Sequence, residues 1–230
     1  TLSLYGTIED GVYSEEFSGA VEGDMLYSGT VEKSFKPGTF LHLGWENYVL
    51  LADDKVVATV GGFSDVKESA YYADAVEWAV ENGVTTGTSA TTFSPDATCT
   101  TGQIITFLWR ANGSPSVSGV TPFDDVSSSD YYYQAALWAK EEGLVSGSTF
   151  QGNTPCTRAA TVTYLWKLAD QPSVGTSKFT DVPNNADYAQ AVAWAVQEGI
   201  TSGTGNNAFS PNAICTRGQI VTFIYRDMVG

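Results

Sequence analysis

The sequence predicts a mainly α-helical protein of three helix–loop–helix repeats, preceded by a small antiparallel β domain. Three observations carry this. First, one phrase recurs: CTTGQIITFLWR at 99–110, CTRAATVTYLWK at 156–167 and CTRGQIVTFIYR at 215–226. Second, each phrase is preceded by a turn-like F-x-D-V beginning at Phe63, Phe123 or Phe179, with Trp78, Trp138 or Trp194 at one fixed distance beyond it. Repetition at a period of this size means a modular architecture, because one helix pair cannot bury its own apolar face. Third, the pattern before residue 63 is different, with short apolar runs of β type and no helical period.

Taken in order, residues 1–62 hold FLHLGW, YVLLA and KVVATV, and YVLLADDKVVATV reads as a hairpin turning at Asp53-Asp54. This segment is expected to be a small β-rich domain or the end of a larger one. The repeats are expected over 63–112, 123–170 and 179–230. In the first, Tyr72, Ala75, Val76, Ala79 and Val80 recur at helical spacing and Gly83 supplies a stop. VTTGTSATTFSPDAT is then loop, rich in Gly, Ser, Thr and Pro. Thr100 to Gln103 and Thr216 to Gln219 read as capping boxes opening the second helix, whereas the middle copy keeps Thr157 and has Ala160 in place of Gln. GSPSVSGVTP and QPSVGTS are linkers between copies.

Composition bounds the function. The chain has 230 residues, is 43% hydrophobic and 13% aromatic, and carries a net charge of −15. That is a folded protein whose surface repels nucleic acid and anionic lipid. No apolar run is long enough to span a membrane. The chain begins at Thr1 without a signal peptide, as a processed protein or a cut fragment would. Cys99, Cys156 and Cys215 occupy one repeat position, and without a CxxC they read as small buried residues rather than a zinc or redox site. The lone His42 leaves no nucleophilic triad, and no phosphate-loop, dinucleotide or calcium motif is present. The expectation is therefore no enzyme, no metal and no cofactor.

The repeated cations are more informative. Arg110, Lys167 and Arg226 fall near helix ends, where the dipole favours positive charge. Arg158 and Arg217 follow the capping Thr, where the dipole opposes it. Such an arginine needs a partner: either an internal acid such as Asp125 or Asp181, or an anionic ligand held by its two-pronged donor. The first copy has Thr101 at this position. Trp78, Trp138 and Trp194 serve core packing or sugar stacking, with packing favoured, while Tyr71, Tyr131 and Tyr132 open the first helix of their copies.

F-x-D-V, a helix, paired glycines, F-x-P and T-R before an apolar helix, three times in register, resemble the S-layer homology (SLH) domain triplet over about 63–228. The resemblance implies a pseudo-threefold, three-pronged spindle with a central helical bundle. Its inter-repeat grooves would bind a secondary cell wall polysaccharide, often pyruvylated, and tether the protein outside the cell to a Gram-positive-type wall or S-layer. It implies ligand contacts at Arg158 and Arg217. It also points to Asp65, Asp125 and Asp181 of F-x-D-V, to Tyr71 and Tyr131 with Asp187 standing in the third copy, and to the loop glycines Gly87, Gly147 and Gly203. The family glutamate is replaced by Gln103, Ala160 and Gln219, and Thr101 predicts one weakened groove. Two alternatives stand beside anchoring: assembly with other surface proteins, and service as the anchor of a larger extracellular enzyme.

Overall fold

The computed structural model describes residues 59–230 in full and, before them, only the backbone of six strands. These are β1 (Leu2–Glu9), β2 (Val12–Val21), β3 (Asp24–Ser34), β4 (Thr39–His42), β5 (Tyr48–Ala52) and β6 (Lys55–Ala58). They form two antiparallel sheets, ordered β1-β2-β3 and β4-β5-β6. β5 and β6 flank the turn expected at Asp53-Asp54, which lies outside the described residues, as does the side chain of His42.

The described remainder is mainly helical. Its helices are α1 (Ala73–Glu81), α2 (Thr101–Ala111), α3 (Tyr133–Glu141), α4 (Arg158–Leu168), α5 (Ala189–Gln197) and α6 (Arg217–Val229), two for each repeat expected from the sequence. The chain divides into two compact units, Thr1–Ala73 with Gly87–Phe93, and Asp74–Thr86 with Ser94–Gly230.

Local chemistry explains the helix limits. α1 is closed by Gly83, two residues past its end, at φ +67°, whose amide donates to Val80 O while Val84 N donates back to Ala79 O. This double bond satisfies two carbonyls that the helix leaves open. α2 and α6 open with complete capping boxes, Thr100 with Gln103 and Thr216 with Gln219, and α4 has the Thr157 cap alone. Arg110, Lys167 and Arg226 do more than complement their own helix ends. Arg110 donates to Val84 O at 3.3 Å, Lys167 to Leu144 O at 2.8 Å and Arg226 to Ile200 O at 3.2 Å. Each cation therefore ties the second helix of its repeat to the end of the first.

In the second unit the three repeats are laced together through their helix starts. Cys99 N donates to Cys215 O, Cys215 N to Cys156 O, and Cys156 N to Cys99 O, each at 2.9 Å. This is a closed ring, and all three thiols are buried beside it. Burial pushes those thiols up, to about 12 for Cys99 and Cys215 and about 11 for Cys156. Ile104, Ile105, Val162, Ile220 and Val221, in the helices that follow the three cysteines, are completely buried.

Candidate ligand groove

A helix start leaves its first amides without partners inside the helix. Here two of those amides are met by the loop of another repeat. In α4, Arg158 N donates to Ala213 O and Ala159 N to Pro211 O; in α6, Arg217 N donates to Ala97 O and Gly218 N to Pro95 O. In α2, Thr101 N donates to Thr154 O and Gly102 N to Gly152 O. Every inter-repeat junction in the second unit thus sets a second helix against a neighbouring loop.

That loop is shaped by the Asp of F-x-D-V. Asp125 accepts from Phe150 N and Gln151 N, both at 2.7 Å, and Asp181 accepts from Phe209 N at 2.9 Å and Ser210 N at 2.7 Å. Asp65 accepts from Phe93 N at 2.8 Å. The amides of Phe150 and Gln151 hold the Asp125 carboxyl below its ordinary value. For Asp181, burial acts upward, yet the amides of Phe209 and Ser210, together with the positive charge of Arg158, bring the net shift down. These carboxylates therefore work inside the fold. Their charge-assisted bonds hold Gln151 and Ser210 at positive φ, 57° and 59°.

The two arginines for which the resemblance implies ligand contacts are buried. Arg158 is 3% exposed and Arg217 is 6% exposed. Arg158 Nε donates to Phe209 O at 3.0 Å, and its guanidinium stacks over Phe209 and Phe223 at 4.9 and 5.2 Å. Arg217 donates to the Thr85 hydroxyl at 3.3 Å and stacks over Phe107 at 5.2 Å. The reason is geometric. The first helical residue points into the junction, and the flat guanidinium fills it by cation–π stacking and hydrogen bonding. Thr101 is buried too, its hydroxyl donating to Thr154 O at 3.3 Å.

Other expected site residues separate by burial. Trp138 and Trp194 are core residues, 3% and 4% exposed, and Trp78 is half-buried against the Tyr225 ring at 5.8 Å. Tyr71 and Tyr131 are each 62% exposed and stand edge-on to Tyr72 and Tyr132. Gly87, Gly147 and Gly203 all have positive φ, at 84°, 86° and 90°. At Gly203 a Cβ would also lie 2.5 Å from Ala208 O, so the turn itself demands glycine.

The open concavity lies on the other side of α4 from Arg158. A cavity of about 570 Å³ is lined by residues of the second repeat, mainly of α4, and of the third repeat. Thr157, Ala160, Thr163 and Lys167 line it from the second repeat, and Asp187, Tyr188 and Asn212 from the third. Tyr164 and Trp166 add aromatic surface to this polar lining. Sequence reasoning placed a groove between repeats but missed Thr163, Lys167, Tyr188 and Asn212. The available signal was helical spacing, since Thr163 and Lys167 share a face with Thr157 and Ala160. Among the described residues no group of three or more His, Cys, Asp or Glu is placed to hold a metal ion. None of their helices is long and apolar enough to cross a membrane.

The sequence model of the S-layer homology domain matches residues 62–104, 122–161 and 178–221, more than half of the chain. The chain belongs to the S-layer homology domain family. SLH domains are non-catalytic modules that anchor proteins to the cell wall. Among the relatives, the amylopullulanase of Thermoanaerobacterium thermosulfurigenes is 25% identical over 86% of this chain and 11% of its own length. The endoglucanase of Bacillus sp. (strain KSM-635) is 32% identical over 68% of the chain and 18% of its own. The surface-layer 125 kDa protein of Lysinibacillus sphaericus is 32% identical over 44% of the chain and 9% of its own. The SLH chain therefore spans less than a fifth of each of these relatives. Family and relatives place it outside the cell, in association with the wall.

Proposed function

We propose that this SLH chain anchors its protein by holding a secondary cell wall polysaccharide in the grooves between repeats. The observation that carries the reading is the groove of about 570 Å³ beside α4, with Thr157, Thr163, Tyr188 and Asn212 offering hydrogen bonds to a sugar. Lys167 supplies a cation at its edge, with two carbonyls already accepting from it. Arg158 acts from beneath the wall rather than by open contact. A buried guanidinium in a low-dielectric junction favours a carboxylate, such as a pyruvate ketal, over the general repulsion of a chain of charge −15. Arg217 plays the same part at the start of α6. Exposed Tyr71 and Tyr131 offer sugar-stacking faces on their own repeats, and the loop glycines let the chain turn tightly beside the ligand. The closed ring of Cys99, Cys156 and Cys215 supports threefold order of the repeats within the second unit.

The relatives favour a chain that is one part of a longer surface protein, enzyme or S-layer subunit; we read residues 1–62 as belonging to its displayed side. The test is sedimentation with purified walls, before and after the non-peptidoglycan polymer is stripped. Binding that disappears on stripping supports polysaccharide anchoring. Binding that survives stripping overturns it and favours protein–protein assembly.

A further inference from the structure

The junction between the first and second repeats departs from the others at several positions at once. Where Arg158 and Arg217 stand, α2 has Thr101. Where the other loops have Pro95 and Pro211, the second repeat has Gly152, although Gly102 N still donates to its carbonyl at 2.8 Å. Thr85, which accepts from Arg217, has Val145 as its counterpart in the second repeat. Finally Tyr132, whose counterparts Tyr72 and Tyr188 are half-buried, is only 3% exposed.

These changes fit together sterically. The Tyr132 ring lies 5.4 Å from Phe150, the counterpart of the Phe209 over which Arg158 stacks at 4.9 Å. A Cβ on Gly152 would lie 2.5 Å from Tyr132 Cζ, and a Cβ on Gly102 would lie 2.6 Å from Tyr132 Cδ1. The aromatic ring thus needs glycine on both sides, and a proline at 152 is incompatible with it. A hydroxyl at 145 has no guanidinium to receive.

We propose that Tyr132 is the internal substitute for the missing guanidinium: its ring fills the α2 junction, which therefore has no buried cation to back a carboxylate-bearing ligand. The chain then carries two cation-backed junctions and one filled by an aromatic side chain. This rests on the anchoring reading for its functional meaning, but the steric core is tested without any ligand. Melting temperatures decide it. Thr101→Arg alone should lower the melting temperature by about 5 °C, since overpacking a filled site forces strained side chains and backbone shifts. With Tyr132→Ala and Val145→Thr already in place, adding Thr101→Arg should raise the melting temperature instead. With Tyr132→Phe, which keeps the ring, it should again lower it. If Tyr132→Ala does not fold, Tyr132→Leu gives the same comparison. Equal losses on adding Thr101→Arg in all backgrounds would overturn the proposal, because ring and guanidinium would then not compete for one space. A failure of wall sedimentation leaves this cycle unaffected, so the two readings fail separately.

Discussion

Arg158 concentrates the physics of the junction. Its guanidinium donates to Phe209 O, stacks on two phenyl rings and lies near the carboxylate of Asp181. Removing it leaves a buried carbonyl without its donor and a void between rings. Arg158→Ala should therefore cost about 1.5–3 kcal/mol in urea unfolding, the range for a lost hydrogen bond to a charged group. Arg158→Lys should recover little, because an ammonium cannot lie flat on Phe209 while donating sideways. A loss below 0.5 kcal/mol, roughly that of an ordinary surface site, would show that the burial carries no energy. The arginine was legible in the sequence as an anomaly, a cation at the wrong end of a helix dipole. Its resolution was not legible, because the Phe209 carbonyl lies far along the chain.

At the scale of elements, the helix starts are the joints of the molecule. The capping Thr, the two amides given to a neighbouring loop and the Cys ring fall within consecutive residues. α4 depends most on its threonine, since Ala160 leaves it without the reciprocal half of the box. Thr157→Ala should lower stability by about 1 kcal/mol. Gln103→Ala and Gln219→Ala, which leave their threonine caps in place, should each cost less than that. Urea denaturation of the three variants checks the order, and the reverse order would mean that α4 is capped by packing instead. Capping boxes are local, and so the sequence showed them directly. The loop carbonyls of Ala213, Pro211, Ala97 and Pro95 are partners that no local pattern announces.

For the whole molecule, charge placement predicts a two-sided pH profile. Burial, with repulsion from Glu198, pushes Asp227 up to about 6. A raised carboxyl binds its proton more tightly in the folded state, so stability should rise as pH falls from about 6 toward its ordinary value of 3.8. Asp125 and Asp181 have the opposite sign. Their folded values lie below 3.8, so their contribution is complete above that value and is lost as pH falls beneath it. Melting temperature should therefore pass through a maximum between these windows. Asp227→Asn should remove the rise on the high-pH side only, and a profile unchanged by that substitution would refute the assignment.

By itself, the amino-acid sequence determined the three-copy order, the threonine caps that open the second helix of each copy, and the family. Each of these rests on local patterns: helical periods, caps, glycines at positive φ and a phrase repeated in register. The first helices of copies one and two begin at Ala73 and Tyr133, just after the tyrosines expected to open them. The tertiary structure alone decided which face of each helix start is buried. A helix presents its first residue and the next turn to different neighbours. Arg158 accordingly went inward to Phe209, while Thr163 and Lys167 were left to line the open groove.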